Sequence, residues 1–229
     1  MYVVTKNCWE YDHPEFSINA GENKSPDPLN LFLAWLENEV AIGKQFLPDQ
    51  TVQVGWSQLK IFRRDDGTLG LLEPDFKSMP MVFVDSIDGT LLHMSVQRSV
   101  VESLGLENRL DIPLLTKSAV ICNNFGTNRE IFLSRTSSVG FDSGWFLGCF
   151  SPSHDHQSGE NLRRVSLYEA AVRLDERIIP YLGLPSGLEI VISDSGPRFS
   201  FRGKELPIKP NSYLDKKFGE GNQSGLPPD

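Results

Sequence analysis

Between Thr51 and Leu72 three short apolar runs follow one another almost without pause: Thr51 to Trp56 (TVQVGW), Leu59 to Arg64 (LKIFRR) and Leu69 to Leu72. The gaps are too short for the helix that a parallel crossover needs, so neighbouring strands here must be antiparallel. Each run alternates in part with period two, and Asp66-Gly67 between the last two is a hairpin-turn pair. Met81 to Asp85 (MVFVD) reads as a further strand. Helical patterns flank the block. Leu29, Phe32, Leu33, Leu36 and Val40 recur at helical spacing, with Asp27-Pro28 as N-cap and first helical residue and Gly43 past the end. A second helix is predicted from about Ser95 to Leu104, ended by Gly105. The order lacks the regular strand–helix–strand alternation of a doubly wound fold and predicts an α+β architecture.

The second half repeats the style without repeating the sequence. Ala119 to Asn123 and Glu130 to Ser134 read as strands around a turn containing Asn124 and Gly126, and Gly144 to Phe150 (GWFLGCF) as another. A polar loop, Ser151 to Asn161, leads to a helix predicted from about Ser166. Ser166-Leu-Tyr-Glu169 fits a capping box, and Leu167, Ala170, Ala171, Leu174 and Ile178 form an apolar stripe. Leu188 to Ser193 and Phe199 to Arg202 form a hairpin through Asp194 to Pro197. The expected organisation is two mixed α/β halves, 1–112 and 113–214, each with a mainly antiparallel sheet packed by one or two helices. Glu107 to Pro113 would be the junction, and the Lys, Gly, Asn, Ser and Pro of 215–229 a disordered tail.

Charge narrows the partners. The 229 residues carry 22 Lys+Arg against 30 Asp+Glu, a net charge of −8. That balance speaks against nucleic acid, whose phosphates need a basic face, and against an anionic membrane surface. No apolar run approaches the roughly 20 residues that span a bilayer. The opening MYVVTKNCWEYDHPEF has no apolar signal core, so a cytoplasmic location is expected. Cys8, Cys122 and Cys149 are odd in number and far apart, and the latter two sit in apolar runs; they read as buried free thiols in a reducing compartment. The charge is uneven: residues 1–112 hold 17 acids and 9 bases, whereas 113–229 hold 13 of each. The first half is therefore the face toward an electropositive partner, with Asp65, Asp66, Glu73 and Asp75 as its candidate contacts. The plainer reading is a solvated acidic surface that aids solubility.

Catalytic signatures are scarce. There is no Gly-x-Ser-x-Gly elbow, no P-loop and no Gly-x-Gly-x-x-Gly, and Asp65-Asp66 lies at a turn where Asp is expected for backbone reasons. No catalytic residue is assigned. The conspicuous titratable cluster is Ser153-His154-Asp155-His156. Two imidazoles and a carboxylate could ligate a metal, but such a pair needs ligands from elsewhere, and the other histidines are only His13 and His93. His154, Asp155 and His156 are therefore read as a solvated or partner-contacting loop, with no metal and no cofactor; a metal-dependent hydrolase built on them is the alternative. Asp142-Ser-Gly-Trp145 offers either a binding anchor or a core tryptophan, and core is the commoner fate. Arg163 and Arg164 are expected to pair with the acidic loop before them.

Several of these motifs together resemble a known family. Asp142-Ser-Gly-Trp145-Phe-Leu-Gly148, His154-Asp-His156, Arg164-Val-Ser-Leu-Tyr-Glu-Ala-Ala171, Ile179-Pro-Tyr-Leu-Gly-Leu-Pro185-Ser-Gly187, Gly203 to Pro207 and Pro210-Asn-Ser-Tyr-Leu214 occur in order. Over about residues 115–214 they are similar to the immunity-protein-33 domain of bacterial polymorphic toxin systems, also catalogued as a domain of unknown function. Gln53-Val-Gly-Trp56 and Leu72-Glu-Pro-Asp75-Phe76 resemble the segment that often precedes that domain. The resemblance implies a protein made beside a secreted toxin, which protects its producer by binding that toxin, with no established active-site residues to carry over. Such proteins often vary most where they touch the toxin, so the shared motifs mark fold rather than contact. An adaptor module without a toxin partner is a further reading.

Overall fold

The computed structural model describes residues 1–21, 26–127, 129–151 and 154–219. The fold is α+β, and the chain divides into two compact units between Ser95 and Val96.

In the first unit, β1 (Tyr2–Val4) pairs antiparallel with β2 (Ser17–Asn19). Helix α1 (Pro26–Ala41) follows, and the N-cap expected at Asp27 falls on a side chain outside the described residues. Then β3 (Thr51–Val54), β4 (Ser57–Arg63), β5 (Leu69–Pro74) and β6 (Phe83–Val84) form an antiparallel sheet in chain order. The alternation read from the sequence is the alternation of the pleat: Leu59 and Ile61 of β4 are buried while Gln58 and Lys60 are partly exposed. They meet Leu69 and Leu71 of β5, Phe16, Ile18, and Phe32, Leu33, Leu36 and Val40 of α1 in one core. Each such side chain contributes about 1.5–3 kcal/mol by leaving water.

Helix α2 (Asp88–Ser103) starts seven residues earlier than the Ser95 expected from periodicity. Its first turn is capped from a distant strand. Glu73 of β5 is buried, and its two carboxylate oxygens accept from the amides of Gly89 (3.0 Å) and Thr90 (2.6 Å). The Gln53–Trp56 and Leu72–Phe76 motifs converge here. Trp56 stacks on Phe76 with ring centroids 5.6 Å apart, and its Nε1 donates to Nδ1 of His93 (3.2 Å).

The second unit is built on seven strands: β7 (Ser118–Cys122), β8 (Ile131–Arg135), β9 (Asp142–Cys149), β10 (Leu162–Ser166), β11 (Leu188–Ser193), β12 (Gly196–Phe201) and β13 (Lys204–Glu205). Their order is β10-β7-β9-β8-β11-β12-β13, antiparallel throughout except for the parallel pair β7–β9. Strand β10 was not expected; of its five residues only Val165 is buried.

The helix predicted from Ser166 begins as expected, with the Ser166 hydroxyl accepting from the Glu169 amide (3.0 Å), but it does not run on to Ile178. Residues Leu167–Glu169, which we call α3, widen into a π turn at Ala170–Leu174. Asp175 then takes an extended conformation and caps a separate 3-10 helix, Glu176–Tyr181, through the Arg177 amide. A final helix, α4 (Tyr213–Phe218), enters the region expected to be disordered; its Leu214 is buried. The rest of that expectation, from residue 220, lies outside the described residues.

Two features hold this sheet's centre. Trp145 is core, as the commoner reading of its motif had it, and Gly144 beside it has φ +78°. A Cβ at Gly144 would lie 2.2 Å from the Thr136 carbonyl oxygen, so only glycine fits. Arg135 on β8 is buried beside them. Its Nη1 donates to the carbonyls of Asp111, Leu182 and Leu184, its Nη2 lies 3.0 Å from the Asp111 carboxylate, and the guanidinium sits 5.4 Å from the Trp145 ring centroid. One buried cation thus ties two irregular segments to the sheet.

Candidate functional site

The parallel pair determines where the polar loop must go. Strands β7 and β9 run in the same direction, so they end at the same edge, at Cys122 and Cys149. The chain leaving β9 next joins β10, which lies on the far side of β7 and starts with Leu162 opposite Cys122. The 150–161 connection therefore crosses the ends of both strands, and His154 and His156 ride on it.

Four donor atoms, one each from Cys122, Cys149, His154 and His156, lie within 4.8 Å of one another. The cysteines are buried and the histidines half-buried. Cys149 Sγ is 3.4 Å from His156 Nε2, and the two imidazole centroids are 4.8 Å apart. A Cβ at Gly148 would stand 2.8 Å from the Phe146 ring, whereas its 3.5 Å approach to His156 Nε2 would be ordinary contact, so the glycine accommodates the phenylalanine that packs beside His156. The Cys122 sulfur accepts from the Cys149 amide (3.2 Å) and faces the Asn124 amide as well. The Asn124 side chain meets Nδ1 of His154 at 3.0 Å, while Nε2 of His154 is buried with no hydrogen-bond partner among the described residues.

Burial pushes the Cys122 thiol up from its ordinary value. Burial first, and the neighbouring His154 second, hold His156 below the usual imidazole value, which keeps it neutral at physiological pH. An apolar pocket of about 420 Å³ opens beside the cluster, lined by Phe132, Cys149, Phe150, Ser151 and His156.

Asp155 points out of this arrangement. It is exposed, and its carboxylate accepts from the Gln157 amide (2.8 Å), which makes it a turn former. Ser153 of the same motif lies outside the described residues.

The acidic candidates of the first unit separate into two kinds. Asp65 and Asp66 are exposed at the β4–β5 turn, flanked by Arg63 and Arg64, and Asp66 accepts from both the amide and the hydroxyl of Thr68. Those bonds hold its carboxyl below the usual range. Asp75 is half-buried, accepting from the Lys77 amide and the Ser78 hydroxyl. Glu73 is only 4% exposed and committed to the α2 cap, so it is withdrawn from the surface on which a partner contact was expected. Arg164 pairs not with the preceding loop but with Asp142 two strands away (2.5 Å), and Arg163 lies 3.8 Å from Glu169.

The thiol–imidazole cluster was missed in the sequence. Its cysteines stand 27 positions apart in separate apolar runs, which suggest core thiols, and the histidines that the chain offers elsewhere are His13 and His93. Both of those are engaged in the first unit: His13 Nε2 accepts from the Phe46 amide (3.0 Å), and His93 accepts from Trp56. The only available signal was topological, namely two strands ending in cysteine, one of them followed by His-x-His.

Comparison with known proteins agrees with the resemblance in the motifs. Residues 96–199 match the family model described as Imm33-like domain. The match begins inside α2 and ends in β12, so it covers the central strands of the seven-stranded sheet and the cluster at their edge. No curated protein and no solved structure matches the chain. Among the described residues no helix is long and apolar enough to cross a membrane.

Proposed function

We propose that the protein is an immunity protein, which binds a cognate secreted bacterial toxin and neutralises it by covering the toxin's active site. The Imm33-like domain over residues 96–199 carries this reading, because an immunity domain implies a toxin partner in general. The charge asymmetry supports an electropositive partner, such as the cleft of a basic nuclease delivered by a type VI or similar secretion route: 17 acids against 9 bases in residues 1–112. Asp65, Asp66 and Asp75 of the first unit, with Asp155 and the exposed edges of His154 and His156, are the contacts assigned to the toxin; Glu73 acts behind them as a helix cap. The protein works in the cytoplasm, without catalysis and without need of nucleic acid or membrane, because its task is finished once the toxin's site is covered.

The test is co-expression with the product of the adjacent gene in a sensitive host. Rescue of growth, together with co-purification of the two chains, is the expected result. Failure to restore growth and to form a complex refutes the assignment.

A further inference from the structure

We propose that Cys122, Cys149, His154 and His156 form a tetrahedral zinc site that fastens the 150–161 connection over the ends of β7 and β9. This inference is independent of the toxin-binding reading.

The donor set has the right chemistry and nearly the right size. Two thiolates with two imidazoles is a common structural zinc set, and sulfur donors select against magnesium, calcium and manganese. Zinc–sulfur bonds of about 2.3 Å and zinc–nitrogen bonds of about 2.0–2.1 Å place tetrahedral S···N pairs about 3.5–3.6 Å apart and S···S pairs about 3.8 Å apart. Cys149 Sγ and His156 Nε2 are already at 3.4 Å, and no pair of the four donors exceeds 4.8 Å. Closing the remainder takes rotamer adjustments of an ångström or less on a loop that carries both histidines.

Three details point to a cation rather than to chance packing. His154 Nε2 is a buried polar atom with no partner among the described residues, an arrangement that otherwise costs free energy. Its Nδ1 lies 3.0 Å from the Asn124 amide nitrogen, so Nδ1 accepts there; exchanging the amide's oxygen and nitrogen, which costs no heavy-atom movement, puts the proton on Nδ1 and lets Nε2 present its lone pair. The Cys122 sulfur receives the Cys149 amide, and the Asn124 amide faces it too, as suits an anionic thiolate. On binding, each thiol loses its proton to solvent and both histidines bind as neutral rings. The two negative charges cancel the ion's two positive charges, so the buried site is neutral and no oxidant or reductant is needed.

Four protein donors fill the coordination shell and leave no position for a water nucleophile, so the site is structural and does not support the hydrolase alternative. The apolar pocket lined by Phe132, Phe150 and His156 then lies against a fixed wall instead of a free loop.

The experiment uses the full-length chain, reduced with a phosphine and stripped of metal, titrated with Zn²⁺ alone and with Co²⁺ alone as a spectroscopic stand-in. The expected result is one ion per chain, with intense tetrahedral d–d bands and a thiolate-to-cobalt charge-transfer band that Zn²⁺ bleaches. Zinc should also slow amide exchange in residues 154–161. Asn124→Ala should weaken binding about 10–100-fold by removing the outer-shell contact, and His154→Gln or His156→Gln should weaken it more. Cys8→Ser should keep full stoichiometry. Cys122→Ser or Cys149→Ser should roughly halve the charge-transfer band and the double variant should abolish it, but both positions are buried; the histidine variants, on a partly exposed loop and checked for fold by circular dichroism, keep the test decisive. The proposal is overturned by a reduced wild-type chain that takes up no stoichiometric zinc. It is equally overturned by weak six-coordinate cobalt bands without thiolate absorption, or by histidine variants of unchanged affinity. A Cys122–Cys149 disulfide that, once reduced, still yields no zinc-binding protein overturns it as well.

Discussion

Replacing Arg135 with methionine removes a charge while keeping most of the side chain's length, and the surroundings set the cost. The guanidinium serves the carbonyls of Asp111, Leu182 and Leu184 and pairs with the Asp111 carboxylate. Asp111 is half-exposed and can turn to water, so its loss is small. The three carbonyls are the larger matter, since an acceptor left unsatisfied in the interior costs about 1–3 kcal/mol. Against this stands relief from burying a cation, the same desolvation that lowers the Arg135 pKa. The Leu182 carbonyl keeps a weak contact from Trp145 Nε1, so two to three stranded acceptors, less that relief, leave a balance of about 3–5 kcal/mol. In a chain of this size each kcal/mol moves the melting temperature by about 2–4 °C, so a drop of about 6–20 °C is expected. Urea unfolding read by hydrogen exchange in 131–135 and 188–193 localises the effect to the second unit. Arg135→Lys should recover part of the loss, because an ammonium can still donate to some of the carbonyls. A methionine variant within about 1 kcal/mol of wild type would refute the idea that Arg135 ties these segments together.

Gly144→Ala combines left-handed strain of about 1–2 kcal/mol with overpacking of about 1–3 kcal/mol against the Thr136 carbonyl; thermal denaturation should show a loss of about 2–5 kcal/mol. Glu73→Gln keeps one acceptor at the start of α2 and should cost about 1 kcal/mol, read as faster exchange of the Gly89 and Thr90 amides. At Asp142 burial opposes ionisation, but hydrogen bonds from Arg164 and the Gly144 amide outweigh it and hold the carboxyl below its ordinary range. A carboxyl depressed in the folded state contributes stability above its unfolded pKa and loses it as pH falls through the folded value. Urea midpoints should therefore decline below about pH 4, and Asp142→Asn should flatten that decline. If Asp65 and Asp66 steer a basic toxin, the double Asn variant should associate several-fold more slowly at low salt with little change in dissociation rate, measured by surface plasmon resonance against the neighbouring gene's product.

Features with a local cause could be read from the chain; those with a remote cause could not. The β4–β5 hairpin and α1 follow from pattern and turn chemistry within a few residues. The start of α2 escaped in part because Glu73, 16 positions away in a strand, caps its first turn, alongside the nearby Ser86 hydroxyl that accepts from the Asp88 amide. Strand β10 escaped because it is a sheet edge with two exposed arginines and only Val165 facing inward. The stripe from Leu167 to Ile178 continues at helical spacing, yet Asp175 breaks the helix by capping the next one through its own side chain. Of the candidate site, His154 and His156 stood out in the sequence, but their proximity to Cys122 and Cys149 depends on one parallel pairing that no local pattern announces.

The connection that carries the histidines is far longer than its route demands. Strands β9 and β10 flank β7, so their ends are separated by two strand spacings, about 10 Å. Extended chain covers about 3.3–3.6 Å per residue, so three or four residues would bridge that distance, and 12 lie between Cys149 and Leu162. Most of the segment is surplus to connectivity. A deletion that leaves about five residues should preserve every strand while removing both imidazoles, which makes this edge a site where side-chain content can be exchanged without asking the sheet to refold.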